Sequence, residues 1–151
     1  MKYEINSETL LIMPELNYKS KVFEKEREYV VETTPFKIME HSCEYFGSSL
    51  EGRLKGSKNM IGSIYKAPIL VEESRNLIFF PTVSPSLGDN IWISFNNIEK
   101  YHKDGNKTKV IFKNKKEITL DIPYHSFDNQ VLRGSRLESV MRNRKENIYL
   151  N

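Results

Sequence analysis

The hydrophobic period of this chain changes at Gly62, and few folds accommodate both halves of that pattern. Upstream, apolar residues recur at spacings of three and four: Phe36, Met39 and Cys43, then Leu50, Leu54 and Ile61. Such spacing lines up one face of a helix. Downstream the period is two. Ile91 and Ile93 alternate with Trp92 and Ser94, and Ile118, Leu120 and Ile122 alternate with Glu117, Thr119 and Asp121. That is the pattern of strands buried on one side. The expectation is an α+β fold: a bent antiparallel sheet or partial barrel over residues 63–122, with one helix at 48–60 packed on it and a second at 126–145 closing it.

Breakers and caps set the boundaries. Thr33-Thr34-Pro35 predicts a helix start, with threonine as cap and proline in the first turn. Gly47 interrupts that helix. Ser48 is then placed to cap the next, with Glu51 as its capping-box partner. Ser63–Lys66, Ile69–Val71 and Leu77–Phe80 are predicted strands, and Thr82–Asn90 a loop. Asp104-Gly105-Asn106 is a turn before the clearest hairpin, Lys107–Phe112 with Glu117–Ile122. Pro123 closes it and Ser126 caps the last helix, whose apolar face carries Phe127, Val131, Leu137 and Met141 with Gly134 on the same side. Its basic end, Arg142 to Lys145, is expected to fray.

At the N-terminus, Tyr3–Ile5 and Thr9–Met13 are expected as strands, the second ended by Pro14. Lys19–Glu24 and Glu28–Glu32 are expected as a hairpin. Residues 1–34 are thus a pair of N-terminal hairpins at one edge of the same domain, and 35–151 the main body.

Charge runs along the chain. Residues 1–51 hold 6 Lys/Arg against 10 Asp/Glu, 52–99 hold 5 against 4, and 100–151 hold 12 against 6. The C-terminal half is therefore suited to a polyanion, and the acidic N-terminal hairpin is not. No apolar run approaches the roughly 18 residues of a membrane span, and no signal-peptide core opens the chain, so a cytoplasmic location is expected. The single cysteine, Cys43, excludes an internal disulfide and lies on the apolar spacing of a helix, as a buried structural thiol would.

Enzyme readings fail on inventory. One Cys and three His (His41, His102, His125) lack the number and spacing of a structural zinc site. Gly47-Ser48-Ser49 is not a P-loop, and no nucleophile elbow occurs. No cofactor or metal is expected.

Three basic groups are candidates for binding nucleic acid. Asn129, Arg133 and Arg136 share the polar side of the last helix. Lys113, Lys115 and Lys116 crowd one hairpin loop, where they could hold phosphates, or merely guard a sheet edge. Arg53, Lys55 and Lys58 fall in a stretch without acids between Glu51 and Glu72, although they do not form one patch on the helical wheel.

Four segments carry a family resemblance: Cys43-Glu44-Tyr45-Phe46-Gly47 through Gly56; Lys66-Ala67-Pro68-Ile69; Phe80-Pro81-Thr82 with Trp92-Ile93-Ser94; and Ser126-Phe127-Asp128-Asn129-Gln130-Val131-Leu132-Arg133. In this order they resemble the ComK family, competence transcription factors of low-GC Gram-positive bacteria. The resemblance implies a nucleoid-associated transcriptional activator that binds paired A/T-rich boxes in double-stranded DNA, largely through the minor groove. A homo-oligomer is expected, with RNA polymerase as a further partner. Family members carry a longer C-terminal tail associated with adaptor-mediated handover to a Clp protease. This sequence stops at Ile148-Tyr149-Leu150-Asn151, which puts that partner and full activating strength in doubt. Rival readings are a ComK-like protein-interaction module without DNA binding, and an RNA or single-strand binder using its aromatics and lysines.

Overall fold

The computed structural model describes residues 2–62, 65–84 and 87–150. Its elements are β1 (Thr9–Glu15), β2 (Lys19–Glu24), β3 (Glu28–Val31), α1 (Pro35–Tyr45), α2 (Leu50–Ile61), β4 (Ile69–Glu72), β5 (Leu77–Val83), β6 (Asn90–Ser94), a 3-10 turn (Phe95–Asn97), β7 (Ile98–Asp104), β8 (Lys107–Phe112), β9 (Glu117–Leu120) and α3 (Tyr124–Leu150). The class is α+β, and both antiparallel sheets are open. One has six strands in the order β3-β2-β1-β6-β5-β4; the other has three, β7-β8-β9.

The six-stranded sheet is the middle layer, and side-chain alternation divides its two faces. Ile12, Val22, Ile69, Phe79 and Trp92 pack against Ile38, Met39, Cys43 and Leu50 of α1 and α2. On the other face, Leu11, Phe80, Ile91 and Ile93 meet Val110, Phe112 and Leu120 of the small sheet and Phe127 of α3. Leu70 and Ile78 extend that face to Leu137 and Met141. Phe127 is fully buried, edge-on to Phe80 with ring centroids 5.5 Å apart. Burying a side chain of that size contributes about 2–3 kcal/mol.

Several local expectations shift for identifiable reasons. The sheet does not begin at residue 63: β1 pairs with β6, so the N-terminal strands form half of the large sheet instead of fringing it. Tyr3–Ile5 joins no ladder, and its polar groups are taken elsewhere. The Ile5 amide donates to Ser42 Oγ of α1, and the Tyr3 hydroxyl lies between Thr9 Oγ1 and Glu24. β1 passes through Pro14, which faces Ser20, and ends at Glu15. β7 was not expected. It is a mostly exposed strand at an edge of its sheet, without an apolar alternation to announce it.

α1 begins at the Thr34 cap with Pro35 in its first turn. Phe36 nevertheless points to solvent, and Ile38 takes the buried place beside Met39 and Cys43. The helix ends in a Schellman closure. Gly47 adopts φ +88°, its amide donates to Glu44 O, and the Ser48 amide donates to Cys43 O. Ser48 therefore belongs to the end of α1. The cap of α2 is Ser49, whose Oγ accepts from the Gly52 amide at 3.0 Å. Glu51, displaced from the capping-box position, pairs with Lys55.

Of the predicted strand 63–66, Ser63 and Ile64 lie outside the described residues, as do Pro85 and Ser86 of the loop after β5. Tyr65 and Lys66 form a turn, Lys66 with φ +53°. α3 starts at Tyr124, two residues before Ser126, because the Phe127 amide already donates to Pro123 O. It extends to Leu150, and its basic end is held: Arg144 Nη1 donates to Asn59 Oδ1 of α2 at 2.8 Å, and Lys145 pairs with Glu73.

Candidate nucleic-acid interface

α3 is the element on which the polar candidates converge. Its buried face is fastened to the sheets by three polar ties as well as by Phe127, Leu137 and Met141. Asp128 accepts a 2.6 Å hydrogen bond from the Tyr101 hydroxyl. Burial and this carboxylate both push the Tyr101 phenol well above its usual range. Gln130 is buried, and its Nε2 donates to Lys66 O at 2.8 Å and Pro81 O at 2.7 Å. Arg133 Nη1 donates to Tyr65 O at 2.9 Å and to Gln130 Oε1 at 2.8 Å.

The outward side of the same helix is a polar and cationic ridge around one leucine. His125, Asn129, Leu132, Arg136, Ser139 and Asn143 succeed one another at steps of four and three, and all six are exposed. Residues so spaced form a continuous stripe. Of the acids of α3, Glu138 lies off this stripe, Asp128 flanks it four residues before Leu132 with its carboxylate bonded to the Tyr101 hydroxyl, and Glu146 continues it three residues past Asn143. Arg133 borders the ridge on the side of the Tyr65–Lys66 turn, where Lys66 Nζ stands 5.5 Å from the Tyr65 ring centroid. Among the described residues, Asn129 and Arg136 are thus free-standing on the ridge, with only a 3.4 Å contact between Asn129 Nδ2 and His125 Nε2. Arg133 is different: it is half-buried, and one guanidinium nitrogen is committed to the fold. Sequence spacing groups these three residues correctly but does not reveal Tyr65 and Lys66 as neighbours. Their only local signal is a lysine two residues before Pro68.

The other two basic groups lie elsewhere. Lys113 borders a groove with Glu99, Val131 and Glu138, and helical spacing puts Val131 and Glu138 on the flank of α3 away from Arg133. Lys115, at φ +76°, pairs with Glu99 at 2.8 Å, and that hydrogen bond holds the Glu99 carboxyl below its usual range. Lys116 sits over the Phe23 ring of β2, and Asn114 Nδ2 donates to Lys25 O. The loop is thereby docked against the N-terminal hairpin. On α2, Lys55 is paired with Glu51, Lys58 is exposed in the last turn, and Arg53 turns inward with its Nε buried and without a hydrogen-bond partner among the described residues. The positive field of Arg53 reaches Cys43. Burial dominates there all the same and pushes the thiol up to about 11.

Among the described residues no cluster of His, Cys, Asp or Glu could hold a metal ion, and no helix is long and apolar enough to cross a membrane.

The family model described as ComK protein matches residues 1–146. The chain belongs to the ComK family. A competence transcription factor from Bacillus subtilis (strain 168) is 35% identical over 146 residues, covering 94% of this chain and 76% of that protein. No solved structure matches. The polar ties of α3 give the ComK resemblance a physical basis. Lys66-Ala67-Pro68, Phe80-Pro81-Thr82 and the Gln130–Arg133 stretch are far apart in sequence and meet at one buried amide. Ser57 of α2 adds a 2.6 Å bond to Pro68 O, and Trp92 lies beside Pro81 in the ladder. Much of this ComK pattern is thus the clamp that seats α3.

Proposed function

We propose that this ComK-family chain is a DNA-binding transcriptional activator of competence genes that recognises paired A/T-rich boxes largely through the minor groove. The observation that carries the reading is the family match over residues 1–146, with a competence transcription factor among the relatives. The geometry supports it. Arg136 and Asn129 stand on the ridge, Arg133 and Lys66 border it, and the flanking Asp128 carboxylate is bonded to the Tyr101 hydroxyl. Arginine suits the negative potential of a narrow A/T groove, and asparagine can donate to acceptors on its floor. Phosphate contacts come from Lys66 beside the ridge and from Lys58, which is exposed and without an ion pair among the described residues, while Lys113 lies on the other flank of α3, Lys55, Lys115 and Lys116 are engaged with Glu51, Glu99 and Phe23, and Arg53 turns inward.

From His125 to Asn143 the ridge is about 27 Å long at 1.5 Å per residue. That is less than one turn of duplex, about 34 Å, so two separated boxes require two or more copies. A chain with this role would act at the nucleoid, in the cytoplasm.

Inosine–cytosine substitution tests the groove. An I·C pair keeps the minor-groove face of A·T and changes its major-groove face. Gel-shift affinity should survive replacement of A·T by I·C inside the boxes and fall when G·C is used instead. Loss of binding on the I·C duplex would move the contact to the major groove.

A further inference from the structure

Leu132 is the large apolar side chain at the centre of the α3 ridge, and it is 58% exposed. Single exposed leucines are ordinary on protein surfaces. This one has a particular setting. Asn129 lies one turn before it and Arg136 one turn after, and the next residue is the anchored Arg133. Asp128, four residues before it, is the acid nearest to it along α3, and its carboxylate is bonded to the Tyr101 hydroxyl. Its backbone is also fixed, because residues 130 and 133, on either side, are hydrogen-bonded to Lys66 O, Pro81 O and Tyr65 O. A stiff apolar tip between an amide and two guanidinium groups fits poorly against a protein core, which would have to bury those charges unpaired. It fits well against a duplex, whose phosphates take the arginines and whose stacked bases take the apolar tip.

We infer that Leu132 is a wedge that enters the minor groove and partly unstacks one base step, kinking the duplex toward the major groove. This rests on the DNA-binding reading and specifies how the site engages its partner. A groove about 6 Å wide cannot admit a helix. An inserted apolar side chain opens and bends it so that Asn129 and Arg136 reach the floor and walls. Pyrimidine–purine steps such as TA unstack at least cost, so the wedge also contributes selectivity for A/T-rich sequence at a step it does not hydrogen-bond. The clamp at Gln130 supplies the rigidity that such insertion needs.

The test uses the full chain and A/T-box duplexes carrying 2-aminopurine at the central step, whose fluorescence rises on unstacking. Circularly permuted duplexes report the bend. The wild type should brighten the probe and bend the DNA. Leu132→Ala should bind about tenfold more weakly and do neither, while Leu132→Phe keeps both. Arg136→Ala should weaken binding yet retain the brightening of its bound fraction. Wild-type binding without brightening, or equal brightening and bending by Leu132→Ala, would overturn the wedge while leaving DNA binding intact. If the wild type binds no A/T duplex, the DNA-binding reading fails and the wedge with it. If Leu132→Ala loses self-association in sedimentation but binds and bends DNA as the wild type does, the wedge is wrong and the ridge is an interface between copies.

Discussion

Gln130 Nε2 donates to the carbonyl of Pro81, 49 residues away, at 2.7 Å, while the same nitrogen serves Lys66 O at 2.8 Å. One buried amide therefore holds α3 against both β5 and the turn that follows α2. Gln130→Leu keeps the volume and strands these carbonyls. With each unmet buried group costing about 1–3 kcal/mol, the variant should lose about 2–4 kcal/mol in urea unfolding with an unchanged m-value. A loss under 0.5 kcal/mol would mean that water replaces the amide at little cost.

Gly134 is buried in α3 directly over Phe95, and a Cβ at this position would lie 2.8 Å from Phe95 Cδ1. Alanine is ordinarily better than glycine in a helix by about 1 kcal/mol. Here the added methyl meets a ring instead, and overpacking costs about 1–3 kcal/mol. Gly134→Ala should therefore lower the thermal midpoint, and Phe95→Leu in the same chain should recover part of the loss. A stabilised Gly134→Ala would show that the ring moves aside freely.

Arg133 and Arg136 are one turn apart and should behave differently. Arg136 is exposed and without a partner among the described residues, so Arg136→Ala should weaken binding to an A/T-box duplex by about 1–2 kcal/mol and leave stability within about 0.5 kcal/mol. Arg133→Ala removes the bonds to Tyr65 O and Gln130 Oε1 and should lower both. Paired gel-shift and unfolding measurements separate the two cases. Equal effects of both substitutions on stability would contradict the assigned geometry.

Cys43 is fully buried, and desolvation raises its thiol to about 11 against the opposing field of Arg53. A thiol whose native pKa is raised is stabilised in its neutral form. That contribution is complete below the unfolded thiol's pKa, about 8.5, and is lost as pH climbs through about 11. At pH 8 Cys43 should resist an aromatic disulfide reagent until denaturant unfolds the chain. Prompt reaction in the native state would place the thiol at the surface.

The parts of this fold legible in the sequence were those governed by neighbours along the chain. The Thr34-Pro35 cap, the hairpins of β2–β3 and β8–β9, and the apolar stripe of α3 all follow from local period and turn chemistry. What escaped depends on distant partners. Nothing near Thr9–Glu15 says that this strand separates β2 from β6. The cap moved from Ser48 to Ser49 because the Schellman closure of α1 claimed Ser48 first. In the candidate site, spacing alone grouped Asn129, Arg133 and Arg136. The tie from Arg133 to Tyr65 O spans 68 positions and has no local signature.

The most direct measurement is the salt dependence of binding to an A/T-box duplex beside a G/C-rich duplex of equal length. About 0.9 of a counterion is released per neutralised phosphate. Four or five phosphate contacts then give a log–log slope of about −4, with the A/T duplex bound more tightly at every salt concentration. A flat response between roughly 50 and 200 mM, a range over which several phosphate contacts weaken binding by orders of magnitude, or tighter binding to the G/C duplex, would contradict the account.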